Sequence, residues 1–155
     1  MRELELNVTE NDSIRFNAYN KPYFDNCPAY FNISHSGDIA VCAISLESEI
    51  GIDIERMTDI EIEVFKCQMN EYEWANVLTS GNSKHAFYDY WTQKEAVIKA
   101  QGSGLSLGLK SFFITEGRTT IGMDEFFIKE IMIDPVYKCY VSLKTPIPNV
   151  SLIKI

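Results

Sequence analysis

Two stretches, Ile50-Gly51-Ile52-Asp53-Ile54-Glu55 and Trp91-Thr92-Gln93-Lys94-Glu95-Ala96, carry carboxylates at spacings that ordinary packing does not require. In an extended strand alternate side chains share a face. Ile50, Ile52 and Ile54 are therefore expected to enter a core, with Asp53 and Glu55 together on the opposite face. Their Cα atoms would lie roughly 6–7 Å apart, and two like charges so placed repel unless a cation or water relieves them. Hard oxygen donors at that spacing suit magnesium. The competing reading is an edge strand whose outer face is simply solvated.

The second stretch falls on the longest expected helix. At about 100° per residue, Phe87, Trp91 and Ile98 lie within roughly 40° of one another and form an apolar stripe. Lys94 projects into the middle of that stripe and Glu95 sits at its edge. A lysine there needs a partner. Glu95 and Lys99 are four residues apart, in the favourable order for a helical ion pair.

The elements that must position these groups follow from periodicity and turn residues. Ser13 to Phe16 reads as a short strand, followed by a turn at Asn20-Lys21-Pro22. Ala29 to Ile33 and Ile39 to Leu46 read as a hairpin, turning through Ser34-His35-Ser36-Gly37-Asp38. The 50–55 strand comes next. Asp59 is expected to cap an amphipathic helix reaching Gln68, and a second helix covers Glu71–Leu78. Ser83 would cap the long helix from Lys84 to Ala100, which stops at Gly102 and Gly104. Strands are expected at Ser111–Thr115, Thr119–Ile121, Phe126–Ile133 and Lys138–Lys144, with a short one near Val150. Strands, a helical middle and then antiparallel strands indicate an α+β fold, an antiparallel sheet packed with a long helix.

With 155 residues, 46% of them hydrophobic and 12% aromatic, the chain is expected to form one globular domain. No apolar run reaches the length of a membrane span and the start is no signal peptide, so no membrane association and a cytoplasmic location are expected. Cys27, Cys42, Cys67 and Cys139 are scattered and read as reduced thiols, which makes a zinc site a poor fit. With only His35 and His85, a histidine-rich metal cage is excluded. A net charge of −8 argues against nucleic-acid binding. Residues 1–70 hold five Lys/Arg against thirteen Asp/Glu, and residues 71–155 nine of each. The acidic excess is centred on Glu47 to Glu63, with Lys84, Lys94, Lys99 and Lys110 beyond it. That polarity suits a site that holds a cation first and a phosphorylated ligand around it.

Phe31-Asn32-Ile33-Ser34-His35-Ser36-Gly37, then Ile50-Gly51-Ile52-Asp53-Ile54-Glu55, then Trp91-x-x-Lys94-Glu95-Ala96-x-x-Lys99-Ala100-x-Gly102-x-Gly104-Leu105 together resemble the 4′-phosphopantetheinyl transferases of the surfactin-synthetase-activating type. The motifs occur in the family's order and spacing, and the resemblance runs from Ser13 to Leu143. It implies transfer of phosphopantetheine from coenzyme A to a serine of an apo acyl or peptidyl carrier protein, with release of adenosine 3′,5′-bisphosphate. Asp53, Glu55 and Glu95 would hold Mg²⁺. Glu95 would also act as general base, and Lys99 would stabilise or protonate the leaving phosphate. Ser34 and His35 match the family's phosphate-binding pair, and Lys21-Pro22 its nucleotide contact, with Asn20 where the family has glycine. Lys94 would be a structural or phosphate-facing partner, Glu71 a further acid near the metal, and Trp91 core.

Longer members carry a further N-terminal segment that grips the 3′-phosphate and adenine, and this chain begins inside that region. Residues 1–48 would then be a remnant of the N-terminal lobe and 49–155 the C-terminal lobe. The chain is either truncated or completed by another subunit, as in the trimeric holo-acyl-carrier-protein synthases, so a homo-oligomer is expected. The competing functions are a non-catalytic module that binds coenzyme A or a carrier protein, and a magnesium-dependent phosphohydrolase.

Overall fold

The computed structural model describes residues 13–147 and 149–155. Its strands are β1 (Ile14–Phe16), β2 (Pro22–Phe24), β3 (Tyr30–Ser36), β4 (Ile39–Ser45), β5 (Ile50–Arg56), β6 (Arg118–Ile121), β7 (Asp124–Glu130) and β8 (Tyr137–Leu143). Two α-helices lie between β5 and β6: α1 (Glu71–Thr79) and α2 (Ser83–Gln101). The fold is α+β. β5, β8, β7 and β6 form one antiparallel sheet in that spatial order, while β1–β2 and β3–β4 are separate hairpins.

The large sheet lies between α2 and the β3–β4 hairpin. On the helix side, Val97, Ile98 and Ala100 pack with Leu109, Phe112, Ile114 and Phe126. Fully burying side chains such as Val97 and Phe126 contributes about 1.5–3 kcal/mol each. On the hairpin side, Ile52, Ile54 and Cys139 meet Ile39 and Val41. A third cluster joins α1 to the first half of α2 through Trp74, Val77, Phe87 and Tyr88.

β5 is the edge strand of its sheet, and an unpaired edge leaves a row of amides without partners. Here β3 supplies side chains in place of a ladder. Asn32 Oδ1 accepts from Ile52 N at 3.0 Å, Ser34 Oγ from Ile54 N at 3.4 Å, and Ser36 Oγ from Arg56 N at 3.0 Å. Alternation along β3 presents those three residues to β5.

α2 is capped by Asn82, whose side chain accepts from His85 N at 3.1 Å. It ends at Gly102 with φ +79°, whose amide donates to Ile98 O at 2.9 Å. The capping residue is thus one position before the expected Ser83. Several other expectations are corrected. The segment Ile62–Gln68 is a 3-10 helix entered at Glu61, which makes no side-chain cap, and not an α-helix capped by Asp59. Pro22 opens β2 in place of closing a turn, and β3 continues two residues past Ser34 to Ser36. Residues 111–115 form no strand, with Leu109–Ser111 a short 3-10 turn. Among the described residues none near Val150 joins a strand. Cys27, Cys42, Cys67 and Cys139 are all free thiols. Among the described residues no helix is long and apolar enough to cross a membrane.

Candidate active site

β5 turns Gly51, Asp53 and Glu55 toward α2. A Cβ at Gly51 would stand 2.1 Å from Ala96 O and 2.3 Å from Ala100 N, so the helix backbone lies directly on the strand there. That approach places the side chains flanking Ala96 and Ala100, those of Glu95 and Lys99, over Asp53 and Glu55. The sequence singled out the acids and passed over Gly51, although an isolated glycine within a strand pattern signals close backbone approach.

Asp53 is only 4% exposed, which excludes a simply solvated outer face. Its Oδ1 lies 2.6 Å from Lys99 Nζ and accepts from Ser34 Oγ at 2.9 Å, and Lys99 Nζ also donates to Ser34 Oγ at 2.9 Å. Lys99 therefore spans to the strand. The other oxygen, Asp53 Oδ2, is buried with no hydrogen-bond partner. Ser36 Oγ donates to Glu55 Oε2 at 3.1 Å, and the indole of Trp91 lies near enough to favour the charged form of Glu55. Trp91 also packs on Phe87 and Phe65. Trp91 is thus packed against the core, as expected, with its indole beside Glu55.

All three carboxyls are held above their ordinary range. For Asp53 burial is the cause, opposed by Lys99 and Ser34. For Glu55 burial comes first and the Asp53 charge second, while for Glu95 burial is followed by repulsion from Asp53 and, more weakly, Glu55. The three acids are thus close enough to share one charge problem, of which Lys99 compensates a part.

This donor set fits a hard divalent cation. It offers carboxylate oxygens that repel one another, one of them buried and unpartnered. No three acid, histidine or cysteine side chains among the described residues already converge as a ligand set. Lys99 holds Asp53 Oδ1, at 2.6 Å, and leaves Oδ2 without a partner.

The sequence model of the 4′-phosphopantetheinyl transferase superfamily matches residues 49–140, which span β5 through most of β8. The chain is 35% identical to the 4′-phosphopantetheinyl transferase gsp of Aneurinibacillus migulanus, over 97% of its own length and 67% of that protein. It is 36% identical to the 4′-phosphopantetheinyl transferase Sfp of Bacillus subtilis, over 88% of its own length and 66% of that protein. The chain belongs to the 4′-phosphopantetheinyl transferase superfamily. It spans about two thirds of the length of these curated relatives. Among solved structures, the holo-[acyl-carrier-protein] synthase of Thermotoga maritima aligns over 61% of each chain at 17% identity, with a TM-score of 0.49.

In this phosphopantetheinyl transferase superfamily member, the structure brings Asp53, Glu55, Glu95, Lys99 and Ser34 together. Lys21 lies at the end of α2, donating to Ala100 O at 3.2 Å and pairing with Glu49. Asn20 takes the left-handed conformation, with φ +63°, that its side chain tolerates. Three expected residues are not brought to the cluster. His35 follows Ser34 on a continuous strand, so alternation turns it to the opposite, exposed face. Glu71 is exposed on the first turn of α1. Lys94 is 1% exposed and pairs at 2.9 Å with Glu73, which is fully buried. Its ammonium donates to Leu109 O at 2.7 Å and Phe112 O at 2.5 Å, away from any ligand. The lysine in the apolar stripe thus has the partner its position demanded, and that partner is the acid two residues past Glu71.

A second polar network seats the first half of α2. Asp89 accepts from Tyr140 Oη at 2.6 Å and pairs with Lys138 at 2.7 Å, and Lys138 also pairs with Glu130 at 2.8 Å. Burial works against the Lys138 charge, but the two carboxylates outweigh it and hold its ammonium above the usual lysine range. A surface depression of about 670 Å³, lined by Cys67, Gln68 and residues 107–111, includes none of the cluster.

Proposed function

We propose that the chain transfers 4′-phosphopantetheine from coenzyme A to the serine of an apo acyl or peptidyl carrier protein. The observation that carries this reading is the meeting of Asp53, Glu55 and Glu95 with Lys99 across β5 and α2, within the region matched to the superfamily. The serine oxygen attacks the phosphorus that bears pantetheine, the phosphoanhydride bond breaks, and adenosine 3′,5′-bisphosphate leaves. Glu95, half-buried and held above its ordinary range, accepts the serine proton. Lys99 compensates negative charge on the leaving phosphate, as it compensates Asp53 in the structure. Asp53, Glu55 and Glu95 would hold Mg²⁺, which when bound neutralises charge on the pyrophosphate oxygens. Lys21, at the C-terminal end of α2, serves the nucleotide.

Self-association belongs to the same reading, because Ile33 and Ile44 lie exposed on the outer face of the β3–β4 hairpin. Sedimentation of the purified chain tests it. The reaction is tested by the intact mass of an apo carrier protein after incubation with the chain, coenzyme A and Mg²⁺, with an EDTA control. A metal-dependent gain of one phosphopantetheine is expected. Cleavage of coenzyme A without a carrier protein would favour a phosphohydrolase, and no reaction with a range of carriers would leave a binding module.

A further inference from the structure

β3 meets β5 through Asn32, Ser34 and Ser36, each of which accepts a β5 amide. Each serine hydroxyl that accepts from an amide still has its own proton to donate. Both spend it on an acid of the cluster. Ser34 donates to Asp53 at 2.9 Å and Ser36 to Glu55 at 3.1 Å, with the same sequence offset of 19 in each pair. The Ser-x-Ser of one strand is thus read onto the Asp-x-Glu of the next.

The hairpin turn holds Ser36 in place. A Cβ at Gly37, where φ is +54°, would stand 2.8 Å from Tyr137 Oη and 2.9 Å from Arg56 Cδ. Asp38 N donates to Tyr137 Oη at 3.2 Å, which fastens the turn beside the start of β8. Glu55 is only half-buried, so packing alone does not fix its rotamer, and the Ser36 hydroxyl holds it.

We propose that Ser36 is a positioning residue for the transfer reaction: one hydrogen bond from β3 aims the Glu55 carboxylate for cation binding, as Ser34 aims Asp53. This rests on the metal reading of the cluster given above. Groups that orient ligands in this way cost metal affinity when removed, even though they never touch the ion.

The test is the Mn²⁺ dissociation constant of the free chain, read from the electron paramagnetic resonance signal of unbound Mn²⁺ without coenzyme A. Ser36→Ala should weaken Mn²⁺ binding by about tenfold or more, and Ser36→Thr, which keeps the hydroxyl, should restore it to within about threefold. Asn32→Ala is the control. It removes an amide acceptor from the same strand but touches no carboxylate, so it should lower the melting temperature and leave Mn²⁺ affinity unchanged. Parent-like affinity in Ser36→Ala overturns the proposal. Equal weakening in Asn32→Ala also overturns it, since hairpin stability would then govern binding. A parent chain that binds no Mn²⁺ overturns the metal reading and this proposal with it.

Discussion

Lys94→Met is the perturbation whose cost the structure specifies most fully. Lys94 and Glu73 are both buried, and the ammonium has three oxygen neighbours: Glu73 Oε2 at 2.9 Å, Leu109 O at 2.7 Å and Phe112 O at 2.5 Å. No hydrogen-bond donor is aligned on Glu73 Oε2, so that contact is chiefly ionic. The ammonium also lies 4.3 Å from the centroid of the Phe112 ring. Burial pushes the Lys94 charge down and Glu73 holds it up. Methionine fills the space but leaves the Glu73 charge buried and Leu109 O without a donor. Breaking a buried pair from one side costs about 3–5 kcal/mol. In a chain of this size that lowers the melting temperature by roughly 6–20 °C.

Glu73→Gln should cost less, because a side-chain amide oxygen can still accept from Ile114 N, which now donates to Glu73 Oε1 at 3.1 Å. The double variant Glu73→Leu, Lys94→Met separates two accounts of the pair. An isolated buried pair is often improved by apolar replacement, by about 1–4 kcal/mol. This pair also satisfies Leu109 O and Ile114 N, and each orphaned backbone group costs about 1–3 kcal/mol. The double variant should therefore remain no more stable than the parent. Urea denaturation followed by circular dichroism measures all three. A loss under about 1 kcal/mol for Lys94→Met would refute the assigned cost, and a double variant more stable than the parent would refute the backbone role.

Asp53→Ala and Glu95→Ala should abolish carrier modification, measured by intact mass, while far-ultraviolet circular dichroism stays that of the parent; near-parent rates would overturn the site. Gly51→Ala should fail to reach the native state, because its Cβ would stand 2.1 Å from Ala96 O; a cooperative thermal transition at the parent temperature would contradict the strand–helix approach. The three raised carboxyls give a pH signature. The folded chain holds protons that the unfolded chain releases, so their contribution is fully present below the ordinary carboxylate range and is lost as pH rises through the raised values. Glu95→Gln should therefore gain stability relative to the parent as pH rises above 4.5, and equal pH dependence in the two would exclude the coupling. Mg²⁺ should raise the parent's melting temperature more at roughly pH 8 than at roughly pH 5, because protons compete for the same oxygens.

Where local pattern decides structure, the sequence was a sufficient guide. Alternation places Asp53 and Glu55 on one face of β5, and the helical period locates α2 and its glycine stop. The miss at residues 111–115 comes from backbone groups recruited by side chains distant in sequence. Residues 111–115 have strand-like composition, but Phe112 O is taken by Lys94 and Ile114 N by Glu73, so a ladder there has lost its partners. His35 was read as a turn residue beside Ser34, whereas the β3–β4 ladder continues to the Ser36–Ile39 pair, and alternation turns His35 to the exposed face opposite Ser34.

The same logic explains how adjacent residues on α2 come to opposite fates. Lys94 and Glu95 differ by about 100° around the helix, enough to send one into the interior and the other toward β5. Which face meets β5 is set by Gly51, since only a residue without a Cβ lets Ala96 and Ala100 rest on the strand. The buried Lys94–Glu73 pair then fixes rotation from the far side, and Asp89 holds the helix to β8 through Tyr140 and Lys138. The reach of Lys99 to Asp53 therefore depends on three contacts that touch no ligand. A variant that loosens the pair without unfolding the chain, Glu73→Gln, should weaken Mn²⁺ binding although neither Glu73 nor Lys94 reaches the cluster. Unchanged Mn²⁺ affinity in a measurably destabilised Glu73→Gln would show that Gly51 and Asp89 alone set the helix, and that the buried pair serves only the 109–114 segment.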